Sequence, residues 1–141
     1  ILLRPERPFI FSSGWASPVY LDIPRALSFP LARAALLDGA EERILAEVGY
    51  AGFDHVAATE QGGIAIGAML AERFRLPFVT VRRRAQGFGP DAHVEGSLRR
   101  GARALLVSDV TTDGRSKAGY CRHLRSAGAE VTQIFVLFKY G

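Results

Sequence analysis

The segment ALLVSDVTTDGRS, residues 104–116, gathers the groups needed to hold a sugar phosphate. Asp109 can accept hydrogen bonds from vicinal sugar hydroxyls. Thr111, Thr112 and Ser116 offer hydroxyls, and Gly114 offers an unhindered backbone just before a helical pattern that begins near Lys117, so N–H groups at the helix start can face an anion. Ser108 precedes the acid and Val110 follows it. Asp113 would repel a phosphate unless a metal or Arg115 offset its charge, or it could cap the helix instead. The plainer alternative is an ordinary strand–turn–helix whose Asp and Thr residues only cap the helix.

Two other clusters carry chemistry. The run Glu60-Gln61-Gly62-Gly63 follows a short apolar stretch and opens a helical pattern, so its backbone N–H groups can meet a diphosphate. Arg82, Arg83 and Arg84 lie where PFVTV runs into a Gly-rich loop, a position suited to grasping a compact polyphosphate. Nucleic-acid binding is the alternative for a chain of net charge +4 and pI near 9.7. Its basic residues are widely spread, however, and aromatic residues do not interleave with them. A solvated basic face is the third reading, most of all for Arg84.

Cys121 is the sole cysteine, which excludes an intrachain disulfide and fits a reducing cytoplasm. His55, His93 and His123 lack ligand-like spacing, so no protein-held metal is expected. No apolar run approaches the roughly 20 residues that cross a bilayer. No secretory signal is visible. The chain opens mid-pattern at Ile1 and stops at Gly141 just after a strand, as a segment of a longer protein would.

The elements that must position these groups alternate between strand and helix. Short strands are expected near Phe9–Phe11 and Val19–Ile23, and a long helix from Ser28 and Pro30 to about Glu47, with Leu31, Ala34, Ala35, Ile44 and Leu45 inward. A buried strand at His55–Ala58 leads to a helix over Gly63–Arg75 with Ile64, Ile66, Met69, Leu70 and Phe74 as core candidates, then a strand from Pro77 to Val81. Residues 83–92 form an aperiodic, mobile loop. A strand ending at Val107, a helix from about Ser116 to Ala127 stopped by Gly128, and a strand over Val131–Phe138 complete the pattern. The expectation is one α/β domain over residues 1–141, with a hood at about 1–27 and a core at about 28–141. Right-handed crossovers give a parallel sheet with helices on both faces and the loops converging at one edge.

The 104–116 segment resembles the phosphoribosyl-diphosphate (PRPP) signature of type I phosphoribosyltransferases, with Ser108-Asp109 where that signature has an acidic pair. FIFSSGWASPVYLD at 9–22 is similar to the hood of orotate phosphoribosyltransferases, matching at Phe9, Ser13, Gly14, Ser17, Pro18, Tyr20 and Asp22. Residues 56–82 resemble that family's diphosphate loop, helix and next strand. Residues 82–96 resemble its mobile lid, closing on Glu95-Gly96.

The resemblance implies the type I phosphoribosyltransferase fold, a central mostly parallel sheet flanked by helices, with a small N-terminal hood. The activity it implies is transfer of ribose 5-phosphate from PRPP to orotate, with Mg²⁺ held mainly by substrate, in a homodimer whose lids serve neighbouring sites. Arg82 and Arg83 align with the family's basic pair, and with Asp109 they are the implied catalytic groups. PRPP binding falls to Glu60, Gln61, Gly62, Gly63, Gln86, Phe88 and the 108–116 turn, and base binding to Ser12, Ser13, Thr112 and Tyr140. No nucleic-acid or membrane partner is implied.

Gln86 and Phe88 stand where the lid usually carries Lys and His, and Tyr140 stands near a usual Arg position. Loss of one transition-state cation costs about a hundred- to thousandfold in rate, so a PRPP- or nucleotide-binding regulatory or pseudo-enzyme paralogue is the alternative reading.

Overall fold

The computed structural model describes residues 1–11, 13–89 and 91–140. The hood is built from four two-residue strands, β1 (Leu2–Leu3), β2 (Phe9–Ile10), β3 (Ala16–Ser17) and β4 (Val19–Tyr20). They pair antiparallel as β1 with β4 and β2 with β3. The sequence pattern shows only β2 and β4, because two-residue strands carry no periodicity of their own. Residues 21–27 also depart from expectation. Asp22 accepts from the Arg25 backbone N–H and starts a short helix, α1 (Ile23–Leu27), with Pro24 in its first turn, where a missing N–H costs nothing.

Helix α2 (Pro30–Glu47) has the expected span and a different inward face. Leu37, Ala40 and Ile44 are buried, whereas Leu31 is 87% exposed and Ala34 and Ala35 also face outward. Several apolar residues compete for the core along this helix, and periodicity alone does not choose the stripe that the sheet will cover.

The core sheet runs β7 (Val94–Glu95), β6 (Phe78–Val81), β5 (His55–Thr59), β8 (Arg103–Thr111), β9 (Glu130–Lys139), with only β7 antiparallel. All five residues of β5 are buried, as a central parallel strand requires. Its side chains alternate between faces. Val56, Leu105 and Val107 join α2 and α3 (Gly62–Phe74) in one cluster. Ala57, Leu106 and Val79 join Tyr120, Cys121 and Leu124 of α4 (Arg115–Ser126) in the other. Each fully buried leucine in these clusters contributes about 1.5–3 kcal/mol. Gly128 ends α4 at φ +94°, as its sequence position suggests.

Strand β8 outruns its expected end. It stays paired with β9 as far as Thr111↔Lys139, so the turn begins at Thr112 rather than after Val107. Ser108, Asp109 and Thr111 read as turn formers in sequence, but backbone pairing with β9 overrides that local preference.

Candidate functional site

The loops leaving β5 and β8 meet at the carboxyl edge of the sheet, on either side of the point where strand order reverses. They border a cavity of about 740 Å³ whose wall also takes residues from the hood and from α4. From the β8 turn the lining includes Asp109, Val110, Thr111, Thr112, Asp113, Arg115 and Ser116. Gly114 lines an adjoining pocket of about 410 Å³, with Trp15 and Tyr140. It lies in the left-handed region at φ +76° immediately before α4, a conformation suited to glycine. Asp113 Oδ1 accepts from the Arg115 backbone N–H at 3.1 Å, so the carboxylate caps the turn.

Asp109 and the first loop are in close contact. A Cβ added at Gly62 would lie 1.7 Å from Asp109 Oδ2, and one added at Gly63 would lie 2.7 Å from the Val107 carbonyl oxygen. Gly63 therefore needs glycine, because the head of α3 presses against the backbone at the end of β8, whereas a side chain at Gly62 would have to push the Asp109 carboxylate aside. The carboxylate lies over the N-terminal turn of α3, where the helix dipole favours negative charge.

Ser108 does not line the cavity. It is fully buried and shares a 2.9 Å hydrogen bond with Thr59 Oγ1, so it ties β8 to β5. Thr59 and Glu60 reach the cavity, while Gln61 is exposed beside it.

The arginines of the basic cluster are placed differently. Arg82 Nε lies 2.8 Å from Glu95 Oε1, with its N–H angled off the carboxylate, so the contact is an ion pair rather than a directed hydrogen bond. Arg82 also stands 3.6 Å from Glu60. The Glu95 pairing raises the Arg82 pKa above its ordinary value, and the same pairing lowers that of Glu95. Arg82 lies outside the cavity lining. Arg83 lines it, with its backbone N–H donated to Glu60 and its guanidinium beside the Tyr120 hydroxyl. Arg84 is exposed.

The stem of the loop between β6 and β7 is pinned where the Arg82 N–H donates to the His93 carbonyl (2.8 Å) and the Gln86 N–H to the Ala92 carbonyl (2.7 Å). Its tip stands clear of the cavity, with Gln86 exposed and Phe88 at 102% exposure.

Hood and core meet at Tyr140. Its hydroxyl accepts from the Leu21 N–H at 2.9 Å, and its ring lies 4.6 Å from that of Phe11. Thr112 Oγ1 donates to Ser13 Oγ at 3.0 Å, closing the same seam. Ser13, Phe11 and Tyr140 all line the cavity. Ser12 lies outside the described residues.

Sequence reasoning missed the contribution of α4. Lys117, Tyr120 and His123 follow one another three residues apart along this helix and line the cavity. That spacing, directly after the 112–114 turn, was the available signal. The Tyr120 hydroxyl donates to the Glu60 carbonyl at 3.2 Å, and burial raises its pKa. The His123 ring stacks on His93 at 3.6 Å and 8°. Burial, with help from His93 and Arg122, lowers its pKa.

No family model matches the chain. It is 43% identical over 136 residues to an orotate phosphoribosyltransferase from Dinoroseobacter shibae, covering 96% of this chain and 60% of that protein. It is likewise 43% identical over 137 residues to the enzyme of that name from Sinorhizobium medicae, covering 97% and 59%. The chain thus spans about 60% of the length of the curated relatives it matches. The solved orotate phosphoribosyltransferase of Aeropyrum pernix superposes with a TM-score of 0.82 at 34% identity, covering 99% of this chain and 76% of that one. The chain belongs to the orotate phosphoribosyltransferase family. Its fold is therefore the type I phosphoribosyltransferase fold, with the mostly parallel sheet and flanking helices described above. Within this family fold, the groups brought to one cavity are the end of β8 and its turn from Asp109 to Ser116 save Gly114, the Thr59–Glu60 loop, Arg83, the inner face of α4, Tyr140 and the hood residues Phe11 and Ser13. Arg82, Ser108, Gln86 and Phe88 lie outside it.

Proposed function

We propose that the protein transfers ribose 5-phosphate from PRPP to orotate, giving orotidine 5′-phosphate and diphosphate in pyrimidine nucleotide synthesis. The contact of Asp109 with Gly62 carries this reading. It sets the acid suited to ribose hydroxyls against the loop suited to diphosphate, which is the adjacency needed to hold a sugar whose anomeric carbon bears diphosphate.

In the reaction the C1–O bond breaks and its electron pair leaves with diphosphate, while a pyrimidine nitrogen forms the new bond to C1. Positive charge develops on the sugar and negative charge on the leaving group, so preorganised cations at the diphosphate lower the barrier. Of the three clustered arginines, Arg83 is the one that lines the cavity and is available for that role. Arg82, held by Glu95 and Glu60, braces the lid stem from which a closing lid would exclude water. Asp109 orients the ribose, the N–H groups of the 112–116 turn receive the 5′-phosphate, and the seam of Ser13, Thr112 and Tyr140 borders the base.

Among the described residues no group of three or more His, Cys, Asp or Glu side chains could hold a metal. Glu60 is engaged by Arg82 and the Arg83 N–H and Asp113 caps its turn, which leaves Asp109 beside the diphosphate loop and supports Mg²⁺ carried mainly by the substrate's own oxygens. Bound there, Mg²⁺ would neutralise diphosphate charge. The exposed lid tip, including Phe88, supports a homodimer in which each lid covers a neighbour's site. The single buried Cys121 suits a reducing cytoplasm. No helix among the described residues is long and apolar enough to cross a membrane.

The test is diphosphate release from PRPP in the presence of orotate and Mg²⁺. Orotate-dependent turnover is expected. Its absence, with PRPP still bound in a calorimeter, would leave the second reading, a PRPP-binding paralogue without turnover, which Gln86 favours by removing the lid's cation.

A further inference from the structure

The cavity wall holds a cation that the resemblance does not account for. Lys117 sits in the first turn of α4, partly buried, with the cavity in front of it. Among the described residues it forms no ion pair within 4.0 Å and no side-chain hydrogen bond, although ten ion pairs elsewhere engage arginines or histidine. Its charged neighbours are Asp109 and Arg83. Both belong to the diphosphate side of the site, since Asp109 lies against Gly62 and the Arg83 backbone is bonded to Glu60.

A partly desolvated ammonium without a partner is unfavourable, more so beside a guanidinium. An anion in the cavity would relieve both costs. We propose that Lys117 binds the diphosphate of the phosphoribosyl substrate, supplying from α4 the ammonium that the lid lacks at Gln86. This role rests on the PRPP reading given above.

The charge environment supports it. Burial lowers the Lys117 pKa below the ordinary lysine value, Asp109 pulls it back up, and Arg83 lowers it further. A bound diphosphate adds negative charge and raises it again, so binding in mildly alkaline buffer takes up protons at Lys117.

The experiment is calorimetric titration of the whole chain with inorganic diphosphate plus Mg²⁺ and, separately, with PRPP plus Mg²⁺. Each is run in two buffers of different ionisation enthalpy so that proton uptake is read directly. Lys117→Met is expected to weaken diphosphate binding by roughly tenfold or more, as for loss of a charged hydrogen bond, and to abolish the alkaline proton uptake. Lys117→Arg keeps binding within a few-fold. A folded Lys117→Met protein that binds diphosphate like the wild type overturns the role. If that variant does not fold, wild-type titrations showing no proton uptake between about pH 8 and 10 also overturn it, since the lysine's ordinary pKa lies near 10.4. Wild-type protein that binds neither diphosphate nor PRPP removes the PRPP reading itself. PRPP binding without any Lys117 effect removes only this inference.

Discussion

Gly62→Ala tests whether the contact between the two loops organises the site. The added methyl carbon would fall 1.7 Å from Asp109 Oδ2 and 2.3 Å from Cγ, far inside van der Waals contact, so the carboxylate must swing away. Turning a short side chain off its rotamer costs about 0.5–1.5 kcal/mol, a modest loss of stability. The effect on ligand should be larger. Two ribose hydroxyl bonds to an ionised acceptor are worth about 1.5–3 kcal/mol each, so PRPP affinity should fall by about a hundredfold at the low end and by about four powers of ten at the high end. Calorimetry with PRPP and Mg²⁺ reads this directly, and circular dichroism verifies the fold. Asp109→Ala should lose a similar amount, and the double variant little more than either single, because both remove the same contacts. PRPP affinity within threefold of wild type in a folded Gly62→Ala protein would refute the reasoning, as would full additivity in the double variant.

Further outcomes follow from the seam, the lid and the histidine pair. Tyr140→Phe removes the acceptor for the Leu21 N–H. It should cost about 1–3 kcal/mol of stability, seen as a lowered melting temperature, and raise the KM for orotate more than that for PRPP. Gln86→Lys restores an ammonium to the lid and should raise kcat by at least tenfold if that cation limits turnover, so a change below about twofold in steady-state assays shows that it does not. The His123 pKa is lowered in the folded chain, so the unfolded chain binds more protons as pH falls. The stability contributed by the neutral ring is complete above about pH 6.5 and is lost on descending through the folded pKa. Protection factors of the amides around Arg82 and Gln86, with the intrinsic pH dependence of exchange divided out, should therefore fall below that pH, and His123→Gln should flatten the profile.

The sequence by itself determined the order of core elements, the turn ahead of α4 and the resemblance to the family. These depend on local pattern. The continuous burial of β5 and the apolar half of β8, Gly128 after α4, and Pro30 at the head of α2 each act within a few residues. Only the tertiary structure decided which face of α2 is buried and that β9 carries β8 on to Thr111. It also decided that Ser108 ties strand to strand, and that adjacent arginines part company, Arg82 to Glu95 and Glu60, Arg83 to the cavity. Lys117 gained its place in the site in the same way. The physical reason is that a charge or hydroxyl takes its role from its neighbours in space. For these groups the neighbours come from other strands and helices, brought within a few ångströms only when the sheet assembles.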